Sequence, residues 1–136
     1  MEPGYRILEH TADIGIESWG PSVEAAFEQA GAGLAEILGA QADRATGVET
    51  VAASAEDCEA LLVDFLNELL LLHETKEVAL AHIHVTQMTG TELQARVGTA
   101  PLAGETETTG VKAATYHRLE VRDGPEGVRA RVYLDV

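Results

Sequence analysis

Two stretches of the chain carry apolar residues at the spacing of an amphipathic helix, three and four positions apart. The first covers residues 23–38, which follow Ser22, a side chain suited to an N-cap, and precede Gly39, a common helix terminator. The second has a broad apolar face over residues 61–72. The segment Ser54-Ala55-Glu56-Asp57 before it resembles a capping box with Asp in place of Glu. The pattern therefore predicts two helices.

The remaining apolar positions alternate with polar ones or form short runs between turn residues, which is the pattern of strands. Two strands precede the first helix, a weakly marked one lies between the helices, and three or four follow the second. The predicted strands are residues 5–10, 14–19, 48–53, 78–88, 92–98, about 113–122 and 128–135. Because turn residues separate the later strands, we expect them to form an antiparallel meander.

The last predicted strand shows how the sheet is covered. Its apolar residues at 128, 130, 132 and 134 alternate with Arg129, Arg131, Tyr133 and Asp135, so one face is predicted to be buried and the other exposed. Two helices and a mostly antiparallel sheet each need cover for one apolar face. We therefore predict an α+β fold of two layers, with both helices packed on one face of the sheet. Residues 1–136, with 46% apolar and 24% charged residues, suit one such domain.

The charge of the chain narrows the choice of partners. Nine Lys and Arg residues face 23 Asp and Glu residues, which gives a formal net charge of −14. Such a charge disfavours direct binding of nucleic acid or anionic lipid, and it favours cations or a basic protein surface, although solubility alone would also explain it. The longest apolar run, residues 69–72, is far shorter than the roughly 20 residues of a membrane span, and the start has no signal-peptide pattern. We expect a cytoplasmic protein.

Signatures of common enzymes are absent from the sequence. The single cysteine, Cys58, falls in an apolar helical pattern and is expected to be buried and inert, and there is neither a Gly-x-Ser-x-Gly elbow nor a phosphate-binding Gly-rich loop. His82 and His84 share one face of a predicted strand, but without a third soft ligand nearby a solvated surface is the simpler interpretation than a zinc site. Asp64 and Glu68 share a helix face, either as solvated charges or as part of a docking patch or cation site.

The most specific candidate residues lie near the two ends of the chain. Asp13 is in the turn between the first two strands, and Asp135 comes just before Val136, which carries the α-carboxylate of the chain. If the last strand pairs near the first hairpin, three negative groups meet, and a hard cation such as Ca²⁺ or Mg²⁺ would relieve their repulsion. Spacing alone leaves this open, because a turn Asp and a terminal Asp are commonly just solvated.

Four motifs in the sequence, taken in order, resemble the archease family. They are HTADIGI at residues 10–16, LLVDFLNELL at residues 61–70, VKAATYH at residues 111–117, and a chain ending in LDV at residues 134–136. The motifs extend from one end of the chain to the other, and the size and acidity of the chain are typical of the family. The set is therefore far more specific than any one motif.

The resemblance implies a non-catalytic protein that activates the GTP-dependent tRNA-splicing RNA ligase. It implies that the protein promotes ligase guanylylation and multiple turnover in tRNA ligation, and broadens the nucleotide use of the ligase. It also implies that Asp13, Asp135 and Val136 hold a calcium ion, and that Lys112 acts in activation or partner contact.

Two alternatives remain open at the level of sequence. One is a metal-dependent phosphoester hydrolase, in which Asp13 and Asp135 bind Mg²⁺ and His10 or His117 serves as the base. The other is a protein-binding module that uses its acidic face without any metal. No role is assigned to the loop of residues 99–111.

Overall fold

The computed structural model describes residues 1–9, 13–102 and 110–136, which form two helices and seven strands. The elements are β1 Gly4–Glu9, β2 Ile14–Gly20, α1 Val23–Ile37, β3 Gly47–Ser54, α2 Cys58–Lys76, β4 Val78–Met88, β5 Glu92–Pro101, β6 Ala113–Gly124 and β7 Gly127–Asp135. Each predicted helix and strand is present, and the prediction of an α+β fold is confirmed. Residue 10, the predicted end of the first strand, and residues 103–109 of the predicted loop lie outside the described residues.

The strands form two antiparallel sheets. Sheet A has the order β1-β2-β7-β6, and sheet B has the order β3-β5-β4. The hairpins β4–β5 and β6–β7 are present, but β5 and β6 belong to different sheets, so the predicted meander is wrong. Turn residues predict hairpins, whereas the assignment of a hairpin to a sheet depends on contacts with strands that are distant in sequence.

Both helices contact both sheets. The first, α1, packs against β1, β2 and β7 of sheet A and β4 of sheet B, while α2 packs against β6 of sheet A and all three strands of sheet B. The helices meet at Phe27 and Phe65, which are fully buried and stack with their ring centroids 6.2 Å apart. The hydroxyl of Ser18 on β2 donates a hydrogen bond to the carbonyl oxygen of Ala26 on α1, at 2.8 Å. The inner face of sheet A is thus joined to the helices by polar as well as apolar contacts.

The ends of the helices are set by local chemistry. As predicted, Ser22 caps α1, where its hydroxyl accepts a hydrogen bond from the amide of Ala25 at 3.1 Å, and Gly39 follows the helix with a φ of +65°. The capping-box prediction for α2 is wrong, because Ser54 is the last residue of β3. It lies in register with Glu92 of β5, and the N-cap is Asp57, which accepts a hydrogen bond from the amide of Ala60 at 2.8 Å.

The alternation in β7 is confirmed with one exception. Tyr133 is on the outward-facing set, yet only 5% of it is exposed. It lies directly across from Gly15 on β2, where an added Cβ atom would come within 2.8 Å of the tyrosine ring. The ring therefore uses the space that the glycine leaves. No helix in the described part of the chain is long and apolar enough to cross a membrane.

We predict that Phe65→Ala lowers the free energy of unfolding by about 3–5 kcal/mol, because it leaves a cavity where the two helices meet. Urea unfolding followed by circular dichroism would measure the change. Leu71→Ala is the matched control on the same helix, since Leu71 is 51% exposed. We expect that control to stay within about 1 kcal/mol of wild type, and equal losses in the two variants would contradict the assigned core.

Candidate functional site

The two ends of the chain meet at one end of sheet A. The register of β2 and β7 pairs Ile14 with Leu134, so the next residues along the two strands, Asp13 and Asp135, lie opposite each other just beyond the ladder. Both line a shallow depression of about 280 Å³, together with residues of β6 and β7 that include His117. The condition set out for this site, that the last strand pairs near the first hairpin, is met by the pairing of β7 with β2.

Lys112 lies at the same end of the sheet. The register of β6 and β7 pairs Ala113 with Asp135, and the amide of Lys112 donates a hydrogen bond to the carbonyl oxygen of Asp135 at 2.8 Å. Lys112 therefore lies beside the end of β7, and it and Val136 are both exposed. The structure thus brings the four predicted residues, from three distant parts of the sequence, to one sheet end.

Asp13 and Asp135 offer carboxylate oxygens as ligands at this end of the sheet. In the described ranges, no group of three or more His, Cys, Asp or Glu side chains is arranged to hold a metal ion. Asp13 and Asp135 by themselves supply fewer oxygens than the roughly six to eight that surround Ca²⁺. In a chain that ends at Val136, the α-carboxylate would add oxygen ligands, and waters or groups of a partner would have to complete the shell of a bound ion. The ligand set suits a hard cation in an open site.

A bulge in β6 lies beside the depression and was not predicted. The register between β6 and β7 shifts after Thr115, and Arg118 within the bulge has a φ of +52°. Tyr116 is 67% exposed, and the ring of His117 meets that of Tyr133 edge-on with the centroids 6.0 Å apart. The only sequence signal was the run of large polar and aromatic residues that interrupts the alternation. The bulge places the imidazole of His117 in the depression that Asp13 and Asp135 line, whereas Tyr116 lines a separate depression beside the start of α2.

Two polar residues of α2 hold the edges of the two sheets. The Asp64 carboxylate accepts a hydrogen bond from the amide of Ser54 in β3 at 3.0 Å. The Asn67 side-chain oxygen accepts one from the amide of Ala114 in β6 at 2.8 Å. Asn67 therefore fixes the start of the strand that follows Lys112. Sequence reasoning missed this role, because a polar residue on a helix gives no sign of which strand edge it reaches.

The other candidates lie away from this site. His82 and His84 are exposed on β4, as the solvated interpretation requires, and the Nδ1 atom of His84 is 3.4 Å from a carboxylate oxygen of Glu28. Glu68 lines a separate polar cleft of about 550 Å³ together with Asp64. His10, the alternative base, lies outside the described residues.

Cys58 is the first residue of α2 and is half-buried rather than buried as predicted. Partial burial raises the pKa of its thiol, and the negative charges of Asp57 and Glu59 raise it further. Because the thiolate is the nucleophilic form, the raised pKa disfavours a reactive cysteine. Cys58 is less buried than expected because it is the first residue of α2, and only part of its side chain is covered there.

The fold and the site together define a class of protein: an α+β protein with two antiparallel sheets, whose chain ends bring carboxylates and a lysine to one exposed sheet end. The chain belongs to the archease family, since the model of the archease protein family (MTH1598/TM1083) matches residues 5–136.

Individual relatives agree with this assignment. The archease of Methanosarcina mazei is 34% identical over 142 residues, which cover 97% of this chain and 95% of that protein. The solution structure of Methanobacterium thermoautotrophicum protein 1598 is similar with a TM-score of 0.77 and 28% identity, covering 98% of this chain and 99% of that one. The Thermotoga maritima crystal structure, described as "an archease, possible chaperone", is similar with a TM-score of 0.65 and 28% identity, covering 96% of each chain.

We predict that Asn67→Ala destabilises the protein by about 1–3 kcal/mol, because the amide of Ala114 loses its hydrogen-bond acceptor in a partly buried position. Hydrogen exchange should show faster exchange at the start of β6. Asn67→Asp is the matched control, since it keeps an acceptor oxygen of the same reach. Unchanged protection of the Ala114 amide in Asn67→Ala would contradict the assigned hydrogen bond.

Proposed function

We propose that this protein is a non-catalytic activator of the GTP-dependent tRNA-splicing RNA ligase in the cytoplasm. In this role it promotes guanylylation and multiple turnover of the ligase in tRNA ligation, and it broadens the nucleotides that the ligase uses. The observation that carries the proposal is the meeting of Asp13, Asp135 and Lys112 at one exposed end of sheet A, in a chain of the archease family. These are the residues to which the family resemblance assigns calcium binding and activation.

We further propose that calcium is bound between Asp13 and Asp135, with the α-carboxylate of Val136 as a third ligand in a chain that ends there. Two carboxylates directly across a strand pair repel each other unless a cation lies between them. Ligands that are all oxygen favour Ca²⁺, or Mg²⁺ as a second hard cation, over zinc. When bound, the ion supplies a concentrated positive charge with coordination positions open to a phosphate or carboxylate oxygen of the partner.

Lys112 adds a second positive group at the same place. Its amide is fixed by the carbonyl oxygen of Asp135, while the residue as a whole is exposed. A lysine ammonium is a compact charge that binds phosphate well. The cation and Lys112 together suit contact with a site in the partner that handles nucleotide phosphates.

The overall acidity of the chain has a different role in this proposal. A net charge of −14 attracts a basic RNA-handling enzyme over a distance and raises the rate of encounter, more strongly at low salt. The same charge repels free RNA. We therefore assign the contact to the ligase and not to its RNA substrate.

A second candidate function has one observation in its favour. The imidazole of His117 lines the same depression as Asp13 and Asp135, so a base lies near the residues that would hold Mg²⁺ in a phosphoester hydrolase. Turnover of a model phosphodiester by the purified protein with Mg²⁺, abolished by His117→Asn, would select this candidate.

We predict that Ca²⁺ stabilises the wild-type protein by about 2.7 kcal/mol when the free ion is at 100 times its dissociation constant. Calorimetric titration and thermal unfolding, each with and without EDTA, would measure this effect. Asp135→Asn should abolish it. Asp123→Asn, at an exposed position of β6 outside the depression, is the matched control and should retain it.

A further variant tests the terminal carboxylate. Two glycines appended after Val136 move the charged end of the chain away from Asp13 and Asp135, so we expect weaker calcium binding with an unchanged fold.

If wild type binds neither Ca²⁺ nor Mg²⁺ and still stimulates the ligase, the protein acts as a binding module without metal.

We predict that Asp13→Asn, Asp135→Asn and Lys112→Gln each reduce stimulation of the ligase on the order of tenfold or more, because each removes a charge that contacts the ion or the partner. The measurement is guanylylation and multiple-turnover ligation by the RNA-splicing ligase of the same organism. Asp123→Asn, which makes the same chemical change elsewhere, should stimulate like wild type. Absence of any stimulation by wild type would refute the activator function.

A further inference from the structure

The outward face of sheet A carries a cluster of positive charge on an otherwise acidic protein. Four of the nine Lys and Arg residues of the chain project from three of its strands, at positions fixed by the register. We call them the arginine surface: Arg6 on β1, Arg122 on β6, and Arg129 and Arg131 on β7. Among the residues that the structure describes, Glu17 and Glu120 are the acidic side chains that pair with these arginines, so this patch has a local charge of 4 − 2 = +2 in a chain whose net charge is −14.

Contacts with Glu17 and Trp19 hold two of these arginines in place. The Glu17 carboxylate accepts a hydrogen bond from Arg6 at 2.6 Å and is 4.0 Å from a guanidinium nitrogen of Arg129. The guanidinium of Arg129 also lies over the ring of Trp19, 5.8 Å from its centroid. Trp19 lies directly across from Gly4, where an added Cβ atom would be 3.0 Å from the indole. The aromatic ring therefore provides a packed base for Arg129.

Glu120 orders the other two arginines. Its two carboxylate oxygens are 2.5 Å from Arg122 and 3.1 Å from Arg131. Arg122 is nevertheless directly opposite Arg129 in the β6–β7 ladder, and like charges in directly opposed positions destabilise a sheet. These two side chains are 76% and 57% exposed. Their juxtaposition costs stability and presents two guanidinium groups together, beside a depression of about 160 Å³.

We propose that the arginine surface binds a patch of Asp and Glu side chains on the RNA ligase; this inference rests on the activator function proposed above. A guanidinium matches a carboxylate with two parallel hydrogen bonds, and arginines that are already ordered lose less side-chain entropy on binding. Arginine and tryptophan are also the residues that most often anchor protein interfaces.

The two glutamates that lie between the arginines indicate whether this surface binds an acidic protein or a nucleic acid. Glu17 and Glu120 alternate with Arg6 and Arg131 in one row across the four strands. A polyanion such as RNA would meet both carboxylates as it crosses the sheet, whereas a protein surface places its acidic groups at separate points. The pattern therefore favours a protein.

The position of this surface also fixes the orientation of the partner. Asp135 and Arg129 are six residues apart on β7, which is roughly 20 Å along a strand. One face of sheet A thus carries the candidate cation site at one end and the paired arginines at the other. The ligase should have its acidic patch roughly 20 Å from the site that contacts Asp13, Lys112 and Asp135.

The test compares two double variants that remove the same charge. Arg122→Gln/Arg129→Gln alters the arginine surface, and Arg44→Gln/Arg96→Gln removes two exposed arginines elsewhere in the chain. In ligase assays at increasing protein concentration, the first pair should raise the concentration for half-maximal stimulation about tenfold and leave maximal stimulation unchanged. The second pair should change it less than about twofold, because it affects only long-range steering.

The other outcomes separate a failure of the arginine surface from a failure of the activator function. Equal shifts in the two double variants would show that only the overall charge matters and would overturn the arginine surface alone, with the activator function intact. No stimulation by wild type overturns both. Arg122→Lys/Arg129→Lys keeps the charge and loses the planar fork, so an intermediate shift with a wild-type melting temperature supports bidentate carboxylate contacts. If fluorescently labelled tRNA binds the free protein, and does so only while Arg122 and Arg129 are present, the occupant is nucleic acid and the proposal is wrong.

Discussion

Hydrogen bonding of the last strand, β7, between β2 and β6 is the interaction on which the rest of the structure depends. It joins residues that are more than a hundred positions apart in the sequence, and it places Asp13 opposite Asp135. A shift of one residue in this register would move the apolar side chains of β7 from the core to the solvent face, so the buried face strongly specifies the register. Core packing therefore determines the position of the candidate site. The two carboxylates contribute nothing to it, because they repel each other.

The two helices make this arrangement possible because they hold the edges of both sheets as well as their faces. Asp64 and Asn67 of α2 accept hydrogen bonds from the ends of β3 and β6, and Glu28 of α1 accepts one from the amide of Val85 in the edge strand β4, at 2.8 Å. Such contacts occupy strand edges that would otherwise be free to pair with other chains. The contact from Asn67 also fixes the start of β6, the strand that follows Lys112, so this polar residue of α2 helps to position Lys112.

The outward face of sheet A is organised in rows across its strands. The first row contains the opposed carboxylates, the next places Tyr133 over Gly15, and the following rows contain the alternating charges and then Trp19 with two arginines. Residues in one row come from distant parts of the sequence, and each row has a different chemical character. The two ends of this face thus differ in chemistry, with carboxylates at one end and arginines with a tryptophan at the other, which is suited to binding a partner in one orientation.

The local features of the fold could be read from the sequence by itself. Alternation and helical spacing predicted every element, Ser22 and Gly39 marked the ends of α1, and the ordered motifs identified the family. These signals are local, because they depend on turn chemistry and on which face of an element is buried. Even so, the capping residue of α2 was misassigned, since the extended backbone of Ser54 in β3 is stabilised by pairing with β5.

Only the tertiary structure decided which strands share a sheet and which residues share a surface. Turn residues cannot show that β5 and β6 belong to different sheets, and the bulge around Arg118 depends on the register with β7. The motifs implied that Asp13 and Asp135 act together, and only the strand pairing shows that the two residues lie opposite each other. The arginine surface has no signature in the sequence, because its members become neighbours only through hydrogen bonds between strands that are remote along the chain.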